Sequence, residues 1–171
     1  GRNPFWAALD AVLVVRTEKD SSGHPEWSWK AYVPHGVPVH ELPPVPVPLP
    51  EGDWDKERFR KERRKAARVL GHQAALTLAS SFHFSRFMIV EEDCRFRLPV
   101  IGATARMLGQ MLKGCRERTA LFLSEPRLSP HPACAVAKGE KSILLRVTDM
   151  AASAAYVMDL SLCERILLSL P

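Results

Sequence analysis

Seven prolines within seventeen residues, Pro34, Pro38, Pro43, Pro44, Pro46, Pro48 and Pro50, constrain this chain more than any other feature. Each fixes φ near about −65° and removes a backbone donor, so residues 34 to 50 can enter neither a helix interior nor the middle of a sheet. The segment is expected to run as an extended, polyproline-like strap outside the core, offering the Val, Leu and His side chains between its prolines to a neighbour. It divides the chain into a β-hairpin extension over residues 1–33, the strap over 34–52, and a compact domain over 53–171 that begins with a basic helix. With 171 residues, 46% of them hydrophobic, there is material for one core of ordinary size.

The basic helix follows directly. Gly52-Asp53-Trp54-Asp55 places acidic groups where a helix would start, at the positive end of its dipole. Lys56, Arg58, Arg60, Lys61, Arg63, Arg64, Lys65 and Arg68 then stand against Glu57 and Glu62, a net +6 in a protein whose total is +5. The basicity is therefore local. Such a cluster attracts a polyanion because each cation near a phosphate releases condensed counterions, and RNA is the expected ligand. A solvated helix face with internal Glu pairs is the competing reading. The helix is expected from Trp54 to about Ser80, with Val69, Leu70, Ala74, Leu76 and Leu78 supplying a buried second half.

On the N-terminal side, Ala11-Val12-Leu13-Val14-Val15 is rich in β-branched residues, and Glu26 to Tyr32 alternates. With the polar turn Thr17 to Gly23 between them they read as a hairpin. Period two puts Trp27 and Trp29 on one face, where packing on a partner protein is expected ahead of base stacking. Phe84 to Val100 reads as a second hairpin, turning through Glu91-Glu92-Asp93, with Arg95 and Arg97 on a basic face that would touch RNA. The three acids would repel the same ligand, and they are read as a solvated turn because no partner base is evident.

The remainder is expected as a helix from Ala103 to about Leu123, strands at Ala133–Ala137, Ser142–Thr148 and Ala154–Leu160, and a short helix over Leu162–Leu170. The fold class is thus α+β, a small antiparallel sheet packed by helices, with a C-terminal order of α-β-β-β-α. That order, with Ile143-Leu144-Leu145-Arg146-Val147-Thr148-Asp149, Tyr156-Val157-Met158-Asp159 and Leu121-Phe122-Leu123-Ser124-Glu125-Pro126, resembles the small α-β-β-β-α proteins of the Alu domain of the signal recognition particle. The resemblance covers residues 103–171 at most. It implies a sheet whose concave face contacts RNA, for which Lys138, Lys141 and Arg146 are the strand-region cations here.

Several chemistries find no support in the sequence. It has no GxSxG, P-loop, HExxH or GxGxxG motif, its six histidines are scattered, and His83 between two phenylalanines reads as a core or surface residue. Cys94, Cys115, Cys134 and Cys163 form no CxxC pair, and His131-Pro132-Ala133-Cys134 alone does not make a metal site. No cofactor, metal or catalytic residue is expected. No apolar window reaches the ~18 residues of a membrane span, so the chain reads as soluble or peripheral. It opens at Gly1 without a secretory pattern, and a removed organelle presequence would suit a basic protein of the mitochondrial matrix, the cytoplasm being the other expectation. The expected function is that of a non-enzymatic RNA-associated structural subunit of a large ribonucleoprotein such as an organellar (mitochondrial) ribosome. It would contact rRNA or another structured RNA as well as neighbouring subunits. An accessory structural subunit of a large mitochondrial complex without RNA, of respiratory or ATP synthase type, is the alternative.

Overall fold

The computed structural model describes residues 4–16, 33–48, 56–92, 94, 109, 120–123, 134–138, 143–146 and 155–170. Helix α1 (Pro4–Ala7) opens with proline at its first position, where the missing N–H costs nothing. Strand β1 (Ala11–Val15) follows, then β2 (Val39–Leu42), the 26-residue helix α2 (Lys56–Ser81) and β3 (Arg86–Glu91). Strands β4 (Ala120–Phe122), β5 (Cys134–Lys138), β6 (Ile143–Arg146) and β7 (Ala155–Asp159) lead into helix α3 (Leu160–Ser169).

Five strands form one mixed sheet in the order β2-β1-β3-β7-β4. β1 runs parallel to both β2 and β3, and β7 runs antiparallel to β3 and β4. β5 and β6 make a separate antiparallel ribbon with a register shift between Ala135 and Ala137. The fold is therefore α+β, a sheet packed by helices. All five residues of β1 are buried, as are all five of β7, so the middle of the sheet is covered on both sides. On one side Ala11, Leu13, Val15, Phe87, Ile89, Tyr156 and Met158 meet Ala75, Leu76 and Ala79 of α2 and Cys163 of α3. On the other, Val12, Val14, Met88, Val90 and Val157 meet Phe5, Trp6 and Leu9. Gly109, helical and buried, lies so close to α1 that a Cβ there would come within 2.6 Å of the Phe5 nitrogen.

Strand β1 is no part of an appended extension: β2 and β3 lie along its two sides and residues 11–15 sit at the centre of the core, while the expected hairpin partner at residues 26–32 falls outside the described residues. The expected second hairpin fails for the same reason: β1 and β7 hold both edges of β3. The sheet is mixed rather than antiparallel because β2, β1 and β3 run the same way, α2 supplying the long crossover that a parallel pair requires. The strap is not extended throughout, since the Val37 N–H bonds the Pro34 carbonyl at 3.2 Å in a turn with Gly36 at φ 90°, nor is it excluded from the core. Its residues 39–42 form an edge strand, where prolines are tolerated, and Val37 and Leu42 are buried. Other side chains of the strap face the chain's own helix, Pro43 and Val45 lining a groove with Leu70, Ala74 and Leu78.

Two helix expectations also shift. Residues 120–122 pair with β7 as a strand, so no helix runs to Leu123 as expected. In α2 the buried stripe is Ala67, Gly71, Ala75, Leu76 and Ala79, while Val69 and Leu70 are 66% and 40% exposed. Small residues won the packing face because the helix lies close to the sheet. The C-terminal strand and helix stand within one or two residues of their expected limits. Asp159 ends β7 and caps α3, its carboxylate accepting from the Leu162 N–H at 2.9 Å.

Candidate nucleic-acid interface

The basic residues lie along the first half of α2, and the packing of the second half fixes which way they face. Ala79, Ala75, Gly71 and Ala67 recur every four residues on the face that meets the sheet. Four residues before Ala67 that line reaches the half-buried Arg63, while Arg60, Arg64 and Arg68 lie on the neighbouring line with His72, which also faces the sheet, and Lys61 stands beside them; these last four cations are exposed. One helix face is thus small and apolar over the sheet, then basic beyond it. Glu57 lies on the basic stripe one turn earlier, and Glu62 lies on the far side, where its carboxylate takes the Lys65 ammonium at 2.9 Å. That bond and the positive charges of Lys65, Lys61 and Arg58 hold the Glu62 carboxyl below its ordinary value.

The sheet ends where the basic stripe begins. Gly71 abuts Val15, the last residue of β1, and Arg68 reaches Glu91, the last residue of β3, its Nε 3.8 Å from Oε2. The eleven residues from 56 to 66 therefore overhang the carboxyl ends of the parallel strands by about 16 Å. Along this overhang Arg58 and Lys65 are exposed on the outer flank and Arg63 is half-buried. Arg95, Arg97, Trp27 and Trp29 fall outside the described residues.

Glu91 and Glu92 are not the solvated, repelling turn that the sequence suggests, Asp93 falling outside the described residues. Glu91 is buried, with Oε1 2.9 Å from His72 Nε2 as well as Arg68 near Oε2. Glu92 meets the Arg16 guanidinium at 3.4 Å. The charge of each carboxylate is therefore balanced on the spot, which lowers the cost of bringing a polyanion nearby. His72 also bonds the Tyr156 hydroxyl through Nδ1 at 2.9 Å, with the two rings stacked at 5.6 Å. In the neutral imidazole, Nε2–H donates to Glu91 and Nδ1 accepts from the tyrosine O–H. Burial pushes the Tyr156 phenol well above its ordinary value, so it stays a donor.

The sequence reading missed this His72–Glu91–Tyr156 network. Its members lie far apart in the chain, 84 residues separating His72 from Tyr156, and no local spacing marks them. His83 has a structural role. It is exposed, with φ 53°, two residues past Ser81, where α2 ends; its N–H bonds the Ser80 carbonyl and the Phe84 N–H bonds that of Ala79. That is a Schellman-type stop with histidine in the usual glycine place.

Among the described residues no helix is long and apolar enough to cross a membrane, and no group of three or more His, Cys, Asp or Glu could hold a metal ion. Neither a protein-family model nor a curated protein sequence matches the chain.

Proposed function

We propose that this chain is a non-enzymatic, RNA-associated structural subunit of a large ribonucleoprotein, an organellar ribosome being an assembly of the kind meant. The supporting observation is the exposed basic group of Arg60, Lys61 and Arg64 on the sheet-side face of α2, next to Arg68, whose charge Glu91 takes up. Phosphate contacts from such a stripe position a protein without reading sequence. The paired states of Glu91 and Glu92 remove the repulsion that the adjacent acids would otherwise exert. The second half of α2 is packed on the sheet, so the cations are carried on a helix anchored in the core.

The test is a gentle purification from native extract, divided into RNase-treated and untreated halves and sedimented on gradients. The proposal expects a heavy particle that becomes light after RNase, with ultraviolet crosslinks to residues 56–68. A heavy particle that survives RNase and contains no RNA contradicts it, and would assign the arm to a protein or lipid surface.

A further inference from the structure

We infer that the protonation of His72 sets the affinity of the basic arm for RNA, so that RNA is held more tightly as pH falls below neutral and its binding draws a proton onto the imidazole. This rests on the RNA reading above and adds a regulation of that same surface.

The first argument is the place of the ring. His72 lies one helical turn beyond Arg68, on the line that carries Arg60, Arg64 and Arg68, and its side chain is 18% exposed. Histidine is the side chain whose charge ordinarily changes between about pH 5 and 8. The second argument is that the surroundings of the ring suit either state. With a neutral ring, Nε2–H donates to Glu91 and Nδ1 accepts from the Tyr156 hydroxyl, both at 2.9 Å. With a protonated ring, Nδ1–H donates to the phenol oxygen in its turn, and only the hydroxyl hydrogen has to rotate. The proton therefore enters without breaking the joint between α2 and the sheet.

The third argument is charge. Glu91 faces Arg68 as well as His72, so with a neutral ring its one negative charge is matched by the arginine. A proton on His72 gives that one carboxylate a second cation, and the root of the arm gains a unit of positive charge. The other described titratable groups near the ring leave that gain uncancelled. Glu92 is held by Arg16, and Glu62 by Lys65 further along α2. Tyr156 of β7 and Cys163 of α3 stay neutral because burial raises both, and Asp159 and Glu164 stand by Cys163, beyond the phenol. A phosphate on the arm is attracted by the added charge, and by the same interaction the phosphate favours the proton.

The experiment measures the affinity of the full chain for a mixed-sequence RNA oligonucleotide by fluorescence anisotropy, from about pH 7.5 down to about pH 5.5 at constant low salt. The wild type is compared with H72Q and with H35Q, His35 being an exposed histidine of the strap, each checked for an unchanged circular dichroism spectrum. Calorimetry of the wild type near pH 6.5, in two buffers of different ionisation enthalpy, reads proton uptake without any substitution. Affinity is expected to rise about threefold over that range, the Coulomb effect of one unit charge about 7 Å from a phosphate in water, with about a quarter of a proton taken up per chain. H72Q is expected to lose that rise and H35Q to keep it. A pH-independent affinity without proton uptake, or an H72Q chain that keeps the rise, overturns this inference and leaves the RNA reading standing. Binding to phosphatidylserine vesicles with none to RNA at any pH overturns both.

Discussion

A Cβ placed on Gly71 would lie 2.5 Å from Cγ1 of Val15. Real side chains essentially never approach so closely, and Val15 is buried within the sheet with no room to retreat. The contact sets how near α2 lies to β1, and with it the angle at which the basic arm leaves the core. Gly71→Ala is expected to destabilise the protein by about 1–2 kcal/mol in urea unfolding: so short a contact puts overpacking in the upper part of its range, about 2–3 kcal/mol, against the ~1 kcal/mol that alanine gains over glycine inside a helix. An unchanged or raised midpoint would show that the helix can lift without loss.

His83 offers the opposite case. It holds a left-handed backbone that costs a β-carbon-bearing residue about 1 kcal/mol, and its side chain is exposed. His83→Gly should therefore raise the unfolding free energy by roughly 0.5–1 kcal/mol, read as a higher thermal midpoint. A loss of stability would reveal that the ring itself contributes.

The His72 network should behave as a unit. Tyr156→Phe removes the donor to Nδ1, and Glu91→Gln removes the carboxylate that both His72 and Arg68 address. Each is expected to cost about 1–3 kcal/mol, and the double variant less than the sum, because the two changes share one imidazole. A double-mutant cycle measures the coupling; strict additivity would mean that the two bonds are independent.

Alkaline stability follows from the same side of the core. Cys163 is buried, its thiol donating to the Leu76 carbonyl at 3.3 Å, and burial pushes its pKa up from 9.0 to about 11. Between those values the unfolded chain releases a proton that the native chain retains, so stability should fall as pH rises from about 9 to 11. Tyr156, also raised by burial, acts in the same sense above its ordinary 10.0. Cys163→Ala is expected to flatten the lower part of that decline in denaturant midpoints measured across the range. An equally steep decline in the variant would place the effect elsewhere.

Local features of the chain were legible where the physics is local. The charge run and its helix, and the step from Tyr156-Val157-Met158-Asp159 into a capped helix, follow from propensity, charge spacing and capping chemistry within a few residues. Pairing is different. Ala11-Val12-Leu13-Val14-Val15 satisfies β propensity equally well beside a hairpin partner or between two distant parallel strands. Only the burial of both its faces, with α2 as the crossover, selected β2 and β3.

The same division holds at the candidate interface. The sequence alone determined that eight cations lie on one helix, because a run of that composition at helical spacing has no better local structure. Which of them share the exposed underside was decided by tertiary packing, since Gly71 and the alanines of α2 fit against β1 and leave Arg60, Arg64 and Arg68 in line beyond it. The balancing of Glu91 by His72 and Arg68 was likewise decided only when helix and strand met, because those charges interact through space.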